Sequence, residues 1–469
     1  MADFFENLEW LANKLSSLAW GPPLLFLLVG GGAYFLIRSR LLPYRFLGHS
    51  LDLLRGRYDE VDPEYGHISH FRALSAALAG TVGLGNISGV ALAIGIGGPG
   101  AVFWMWITAL VGTATKFFTC SLAVMYRGRD ANNRPQGGPM YVIREGLSKG
   151  WRWLAVWFCL ACLIGALPLF QTNQLVQIVR EVGLPTLLPE WSATLAPMTV
   201  NLTLGALLTI LAGVVIAGGI QRISAVAARL VPFMALIYIL CAVGACIAGF
   251  DRVPDALTLI FTDAFTGNAA AGGAVGSVIA YGIQRGAFSN EAGIGTEALA
   301  HGAARTREPI REGLVAMLGP IIDTLLVCTA TALMIILSGV WEAEDKSNGI
   351  TLTANAFQTL LGTPGLVMLL LCVLCFGFST IFTMAFYGSQ AAIYLFGERG
   401  GVWYRAFYIS AVMLAAVISL NTAVGFIDAA YALMAFPTMV SALILAPKVL
   451  EAADRYFATL RSPARSVPL

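Results

Sequence analysis

The chain alternates long apolar runs with short polar connections, and no other feature limits its fold so strongly. A helix needs about 20 mostly apolar residues to cross the roughly 30 Å hydrocarbon core of a bilayer. About eleven segments meet that condition: 21–40, 69–94, 98–126, 153–178, 198–218, 224–249, 273–302, 313–340, 363–396, 404–421 and 424–447. Of the 469 residues, 57% are hydrophobic and only 12% are charged, and the mean hydropathy is +0.75. A soluble protein of this size needs far more charge to cover its surface. The sequence therefore predicts an all-α polytopic membrane protein. Its start, "MADFFENLEW", is acidic rather than basic, so the first apolar run is expected to persist as a span and not to act as a signal peptide.

The basic residues fall in alternate loops. Arg38, Arg40, Arg45, Arg55 and Arg57 follow the first span. Arg127, Arg129, Arg134, Arg144 and Lys149 follow the third, and Arg305, Arg307 and Arg311 the seventh. Arg399 and Arg405 follow the ninth, and Lys448, Arg455, Arg461 and Arg465 the last. The intervening loops hold Arg180, Arg252 and Lys346 beside Asp251, Asp255, Asp263, Glu342, Glu344 and Asp345. Basic loops stay in the cytoplasm. An outside N-terminus and a cytoplasmic C-terminus satisfy every loop, with the bilayer of the inner (plasma) membrane as the partner of the apolar faces. These clusters are topology signals, not a nucleic-acid surface.

Two spans are interrupted. Residues 286–295 read "GAFSNEAGIG" and residues 80–89 read "GTVGLGNISG", with Asn86 aligned to Asn290 and Gly89 to Gly293. Each is followed by a long partner span, and the two enter from opposite sides. The five spans of 67–250 are thus matched by five of 273–447 in inverted order. Residues 1–66 hold the extra first span and an interfacial segment, 251–272 an outer loop, and 448–469 a tail. Paired interruptions at corresponding places in inverted halves mark a secondary transporter's binding site. In hydrocarbon every backbone N–H and C=O must be bonded internally, so unwound backbone survives only where it lines a cavity. Close packing of small residues is the competing explanation for the glycines. Arg285, Glu291 and Glu297 crowd the second interrupted span, and each costs roughly 3 kcal/mol at a lipid-facing midplane. They are expected to face protein or a cavity, with Arg285 and Glu297 holding the scaffold. Gln171, Asn173, Gln174 and Gln177 form a polar face on the fourth span.

Enzyme chemistry finds little support. No histidine sits in a His-Glu-x-x-His arrangement, and no convincing Ser/His or Ser/Lys pair occurs. His49, His67, His70 and His301 lie near predicted span ends and read as interfacial. Cys159/Cys162 and Cys372/Cys375 have C-x-x-C spacing but no further ligands nearby, which suits small apolar helix residues better than zinc.

The motifs "HFRALSAALAGTVGLGNISGVALAI", "GGPGAVFWMWITALVGTATKF", "GGPMYVI", "GGIQRI", "LVPFMA" and "RGAFSNEAGIGTEALAHGAA" resemble the alanine or glycine:cation symporter family, across nearly the whole chain. The resemblance implies a leucine-transporter-like fold of five-plus-five inverted helices with an extra N-terminal helix. It also implies uptake of a small neutral amino acid coupled to Na+ or, in some members, to protons. By the resemblance, the N–H groups of Leu84 and Gly85, in the stretch from Thr81 through Gly83, would face the substrate carboxylate. Unwound backbone around Gly286, Phe288 and Ser289, with Asn290, would receive the amino group. Phe170, Gln171 and Asn173 of "LFQTNQ" would form one wall. Carbonyls of Ala79 and Val82 with hydroxyls of Ser379 and Thr380 would form a sodium site, and Thr81 with Asn86 a second. For Ser379 and Thr380 alone, bonding back to their own helix explains the hydroxyls equally well. Met384 stands where many members carry tryptophan, and Thr119 where many carry glutamate. A cavity lined by the smaller Met384 would admit a larger neutral amino acid. The alternatives are proton coupling through Glu291 or Asp323 and, from another class, an ion channel.

Overall fold

The computed structural model describes residues 2–58, 66–129, 135–266, 275–343 and 349–461. Of the residues used for topology, Arg134, Glu344, Asp345, Lys346 and Arg465 lie outside the described residues, as do 267–272 of the outer loop and 462–469 of the tail. The long apolar runs become helices. They are α1 (Ala2–Ala19), α2 (Pro22–Arg38), α3 (His70–Thr81), α4 (Ser88–Gly97), α5 (Ala101–Met125), α6 (Arg152–Gly165), α7 (Leu169–Ile178) and α8 (Pro197–Ile216). After these come α9 (Gly219–Ala248), α10 (Val253–Thr266), α11 (Val275–Asn290), α12 (Thr296–His301), α13 (Pro309–Ala316), α14 (Thr329–Ser338), α15 (Gly349–Ala415) and α16 (Leu420–Arg461). A two-residue hairpin, Gly128–Arg129 with Pro135–Gln136, is the one small sheet among the described residues.

Among the described residues, seven helical stretches are long and apolar enough to cross a membrane unaided, and up to nine if each of two bent pairs counts as one span. The expected count of about eleven is not reproduced by this measure. The physical reasons are local. The second interrupted span falls into pieces of 16 and 6 residues, each too short to cross alone. The predicted span 363–396 and most of 404–421 lie within the single run α15, which changes direction at Gly362 (φ 65°) and Gly397 (φ 72°) and ends at Ala415. Among the helices outside the predicted spans are α1, α10, the first portion of α15 and the shorter Leu47–Leu54 and Pro139–Gly146.

Burial sorts the helices into a centre and a rim. α5 is enclosed along most of its length, whereas α8 and α9 expose Leu207, Ile210, Val214, Phe233, Leu236 and Leu240, the face a lipid would cover. α5 can sit centrally because small residues let its neighbours approach. A Cβ on Gly286 of α11 would lie 2.1 Å from Thr108 Oγ1 and 3.0 Å from the Met105 Cα of α5. On Gly313 of α13 it would lie 2.0 Å from Ser121 Oγ and 2.6 Å from the Phe117 carbonyl oxygen.

The two interrupted spans are strapped together at one end. Ile68 and Ala304 form a parallel bridge. His67 N–H donates to the Ala303 carbonyl at 2.8 Å, and Arg305 N–H to that of Ile68 at 2.7 Å. The Arg127 guanidinium, at the end of α5, donates to the carbonyls of Gly302 (2.8 Å), Thr306 (3.0 Å) and Ala304. Glu312 of α13 accepts from both His70 and His301, the second at 2.5 Å. His70 and His301 are thus fully buried, not interfacial as the sequence suggested. Their buried rings lie where Glu312 can bond them, and a lone histidine near a span end gives no sign of such a partner.

Because Gly313 touches backbone as well as side chain, Gly313→Val is expected to destabilise the detergent-solubilised protein by about 1–3 kcal/mol. Thermal unfolding checks this; an unchanged transition would show that α5 and α13 part easily.

Candidate functional site

The first interruption spans residues 82–87. α3 ends at Thr81, Val82 leaves the helical conformation, Gly83 is extended, Leu84–Asn86 makes one tight turn, and α4 begins at Ser88. Side chains from elsewhere satisfy the freed backbone. Asn86 Oδ1 accepts from Gly83 N–H at 3.0 Å. Thr331 Oγ1 of α14 donates to the Asn86 carbonyl at 2.7 Å, and Thr353 Oγ1 of α15 to that of Ile87 at 3.3 Å. Among the described residues the N–H groups of Leu84 and Gly85 make no hydrogen bond, although both residues are buried. Two adjacent free donors at the start of a helix suit a carboxylate.

The second interruption is shorter than expected. Gly286, Phe288 and Ser289 are helical, within α11, and the chain unwinds only from Glu291 to Gly295. Gly286 is a packing glycine against α5, so the small-residue explanation wins there. Gly89 is helical too, while its aligned partner Gly293 has φ 85°. Gly295 (φ 100°) and, unusually for a side-chain-bearing residue, Glu291 (φ 54°) complete the break. Asn290 Oδ1 accepts from Ala292 N–H at 3.0 Å, Glu297 from Gly295 N–H at 3.2 Å, and Thr438 Oγ1 donates to the Ile294 carbonyl at 3.0 Å. The carbonyls of Phe288, Ser289 and Asn290, at the C-terminal end of α11, accept no backbone bond among the described residues. They are the orphan acceptors of a helix end. An ammonium group can therefore be met there without unwound backbone.

An aromatic cluster joins the two interruptions. Phe288 meets Phe170 edge-on at 5.4 Å and Tyr431 of α16 at 5.3 Å. A Cβ on Gly85 would lie 3.2 Å from the Phe288 ring, so only glycine lets the first break reach it. Tyr431 OH donates to Glu291 at 2.9 Å and lies 3.9 Å from Met384 Sδ. The structure thus gathers Gly85, Phe170, Phe288 and Met384 and adds Tyr431. Gln171 is nearly buried and makes no hydrogen bond among the described residues. Asn173 behaves differently: its amide donates to the Ile418 carbonyl at 2.7 Å, tying α7 to the α15–α16 connection. Gln174 instead bridges the breaks' surroundings, accepting from Ser88 Oγ at 2.5 Å and from Ile350 N–H at 3.2 Å.

The expected cation ligands separate into two places. A Cβ on Gly83 would lie 2.4 Å from Thr380 Oγ1, which puts that hydroxyl against the first break beside Val82. Ser379 and Thr380 both donate to the Phe376 carbonyl, at 2.9 and 3.0 Å, and keep lone pairs for another partner. Ala79 is fully buried in the last turn of α3. Thr81 Oγ1 is buried without a hydrogen bond. The Asn86 amide donates to the Asp323 carbonyl at 3.2 Å. Asp323 sits in a widened helical turn, Ile321–Cys328. Its Oδ1 accepts from Ser289 at 2.6 Å and from Thr324 at 2.7 Å, and its Oδ2 is buried without a partner. Asp323, Ser289 and Asn86 therefore form one polar group that reaches both interruptions.

Further charges lie nearby. Lys116 of α5 is 1% exposed. Arg285 is paired with Asp428 of α16, and its guanidinium lies 5.0 Å over the Phe288 ring. Trp20 Nε1 donates to the Asp428 carbonyl at 2.9 Å, fixing the residue that holds Arg285. This pair floors a cavity of about 500 Å³ that is also lined by Asn13, Ser16, Tyr281 and Gln284. A second cavity of about 810 Å³ opens at the other end of the interrupted spans, beside the strap, lined by Gln136, Gln221, Leu299, Gln390 and Arg405 among others. The aromatic cluster lies between them.

A centre closed between two vestibules suits a carrier, and the comparisons agree. The model of the sodium:alanine symporter family matches residues 5–467. The chain belongs to the sodium:alanine symporter family. An uncharacterized transporter of Haemophilus influenzae is 39% identical over 97% of each chain. The sodium/alanine symporter AgcS of Methanococcus maripaludis is 36% identical over 94% of this chain and 95% of its own. The solved structure of MhsT in complex with L-phenylalanine shares 13% identity, with a TM-score of 0.58, over 83% of this chain and 99% of that one. The fold of this symporter is therefore of the leucine-transporter type, and its relatives are transporters rather than enzymes.

Arg285 and Asp428 are both nearly buried. Removing one charge leaves the other unpaired, so Arg285→Gln or Asp428→Asn is expected to lower stability by about 3–5 kcal/mol. The combined Arg285→Met, Asp428→Leu replacement should cost clearly less than the sum. Thermal unfolding of the three variants decides; additive losses would mean that the two groups do not depend on each other.

Proposed function

We propose that this symporter is a sodium-coupled importer of a small neutral amino acid, working by alternating access around the two interruptions. The observation that carries the reading is the free pair of N–H groups at Leu84 and Gly85, with Gly85 packed beside Phe288 and Ser289 at the acceptor end of α11. Amino-acid zwitterions carry an anion and a cation a short distance apart, and the site offers donors and acceptors at matching ends. Aromatic rings and Met384 would bound the substrate side chain, and Gln171 would complete the wall. The AgcS relative is named for sodium and alanine, which supports both partners.

Sodium would be held by oxygens of Ala79, Val82, Ser379 and Thr380, a neutral set suited to a hard monovalent ion. A second cation would lie at Asn86, where Asp323 stands close by. The protein would lie in the plasma membrane with its N-terminus outside, as the basic loops suggest. One sodium entering down a potential of about 100 mV contributes roughly 2.3 kcal/mol, and a tenfold gradient adds about 1.4. Together these sustain accumulation on the order of several hundredfold. Proton coupling is the second reading, favoured by one observation: Asp323 is buried with an unpartnered oxygen.

Uptake of labelled amino acids into proteoliposomes, with sodium and proton gradients imposed separately, tests both. Alanine or glycine should accumulate under the sodium gradient alone. Accumulation only under the proton gradient would move the coupling to Asp323 or Glu291, and none under either would remove the transporter reading. Gln171→Ala and Asn290→Ala should depress uptake much more than Gln177→Ala; equal effects would make all three packing residues.

A further inference from the structure

We propose that Lys116 is the internal counter-ion of the transport cycle: its ammonium sits by Asp323 in the empty carrier and withdraws toward Glu297 when a coupling cation arrives. This rests on the symport reading. Lys116 lies on the most enclosed of the long apolar helices among the described residues and is 1% exposed, and its ammonium makes no hydrogen bond or close ion pair among the described residues. Three buried carboxylates, Glu291, Glu297 and Asp323, are within its electrostatic reach. Arg285 does not serve them, because Asp428 holds it. One buried ammonium thus has three buried carboxyl groups around it.

The three carboxylates are fixed to different degrees. Glu291 accepts from Thr296 and Tyr431. Glu297 accepts from Thr119 at 3.0 Å and from Gly295 N–H at 3.2 Å. Only Asp323 retains a buried oxygen with no partner. The lysine head lies one helical turn from it: a Cβ on Gly319 would stand 3.1 Å from Lys116 Nζ. Residues four apart share a helix face, so Gly319 and Asp323 point the same way, and the missing side chain at Gly319 leaves the path between them clear. A lysine's flexible four-carbon stem can move its charge over such a step.

The consequence is specific to one half of the cycle. With a cation at Asp323, the lysine stays by Glu297 and the loaded carrier turns over without it. With the cation gone, the ammonium must neutralise Asp323 before the carrier can return, because an unpaired buried charge is costly. Net uptake needs the empty carrier to return; exchange of labelled for unlabelled substrate needs only the loaded one.

Both modes can be measured in proteoliposomes with labelled alanine: uptake driven by a sodium gradient, and exchange with saturating sodium and alanine on both sides. Lys116→Met should lower net uptake by about tenfold or more while exchange stays within about twofold, and Lys116→Arg, which keeps the charge, should retain net uptake. Lys116→Gln serves for the same ratio if the methionine variant is not monodisperse. Parallel loss of both modes in a well-folded variant would make Lys116 a structural charge, and preservation of both would make it irrelevant; either overturns the proposal. Failure of wild-type protein to accumulate alanine would instead count against the symport reading.

Discussion

A bilayer supplies no hydrogen bonds to the backbone, and the rest of this structure follows from how two interrupted spans meet that condition. Each break releases N–H and C=O groups in the middle of the protein. Several are bonded by side chains: Thr331, Thr353 and Thr438 reach in from other spans, and Asn86, Asn290 and Glu297 fold back from the interrupted spans themselves. The groups left over are not scattered. They are donors at Leu84 and Gly85 on one break and acceptors at the end of α11 on the other. A scaffold that satisfied every group would be a more stable bundle with nowhere to hold a zwitterion.

Charge is handled in the same manner. Arg285 and Asp428 neutralise each other, and Glu312 bonds two histidines at the strap. These groups fix helices to one another. The cluster of Lys116, Glu291, Glu297 and Asp323 is different, because its negative charges outnumber its positive one. Such an imbalance inside a membrane invites a cation or a proton, which is what coupled transport requires. The strap joins the ends of α3 and α12 by backbone bonds, so the interrupted spans are held together at the end beside the larger cavity.

Much of this was legible in the sequence. Long apolar runs determined the class, and the breaks stood out because glycine, asparagine and glutamate interrupt them. The aromatic and amide face of "LFQTNQ" was visible for the same reason, as was the need of Arg285 for a partner within the protein, which Asp428 supplies. Other features were hidden for physical reasons. The second break was placed too early because Gly286 looks like a flexible residue, whereas its missing side chain serves contact with α5. Asn173 was grouped with Gln171, yet a one-residue step turns its amide to Ile418. Asp428 could have been named as the partner of Arg285, since it is a lone acid within an apolar span and such residues pair. Lys116 carried the same signal in the third span. The burial of His70 and His301 could not have been read, because their partner Glu312 is far from His70 in the chain.

The central claim is that one substrate and its cation share the space between the breaks. Equilibrium binding of labelled alanine to the purified protein, titrated with sodium against choline, tests it most directly. Sodium should raise the affinity, and Ser379→Ala with Thr380→Ala should abolish that dependence while weak binding persists. Equal affinity in sodium and choline, with no response to the double replacement, would contradict it.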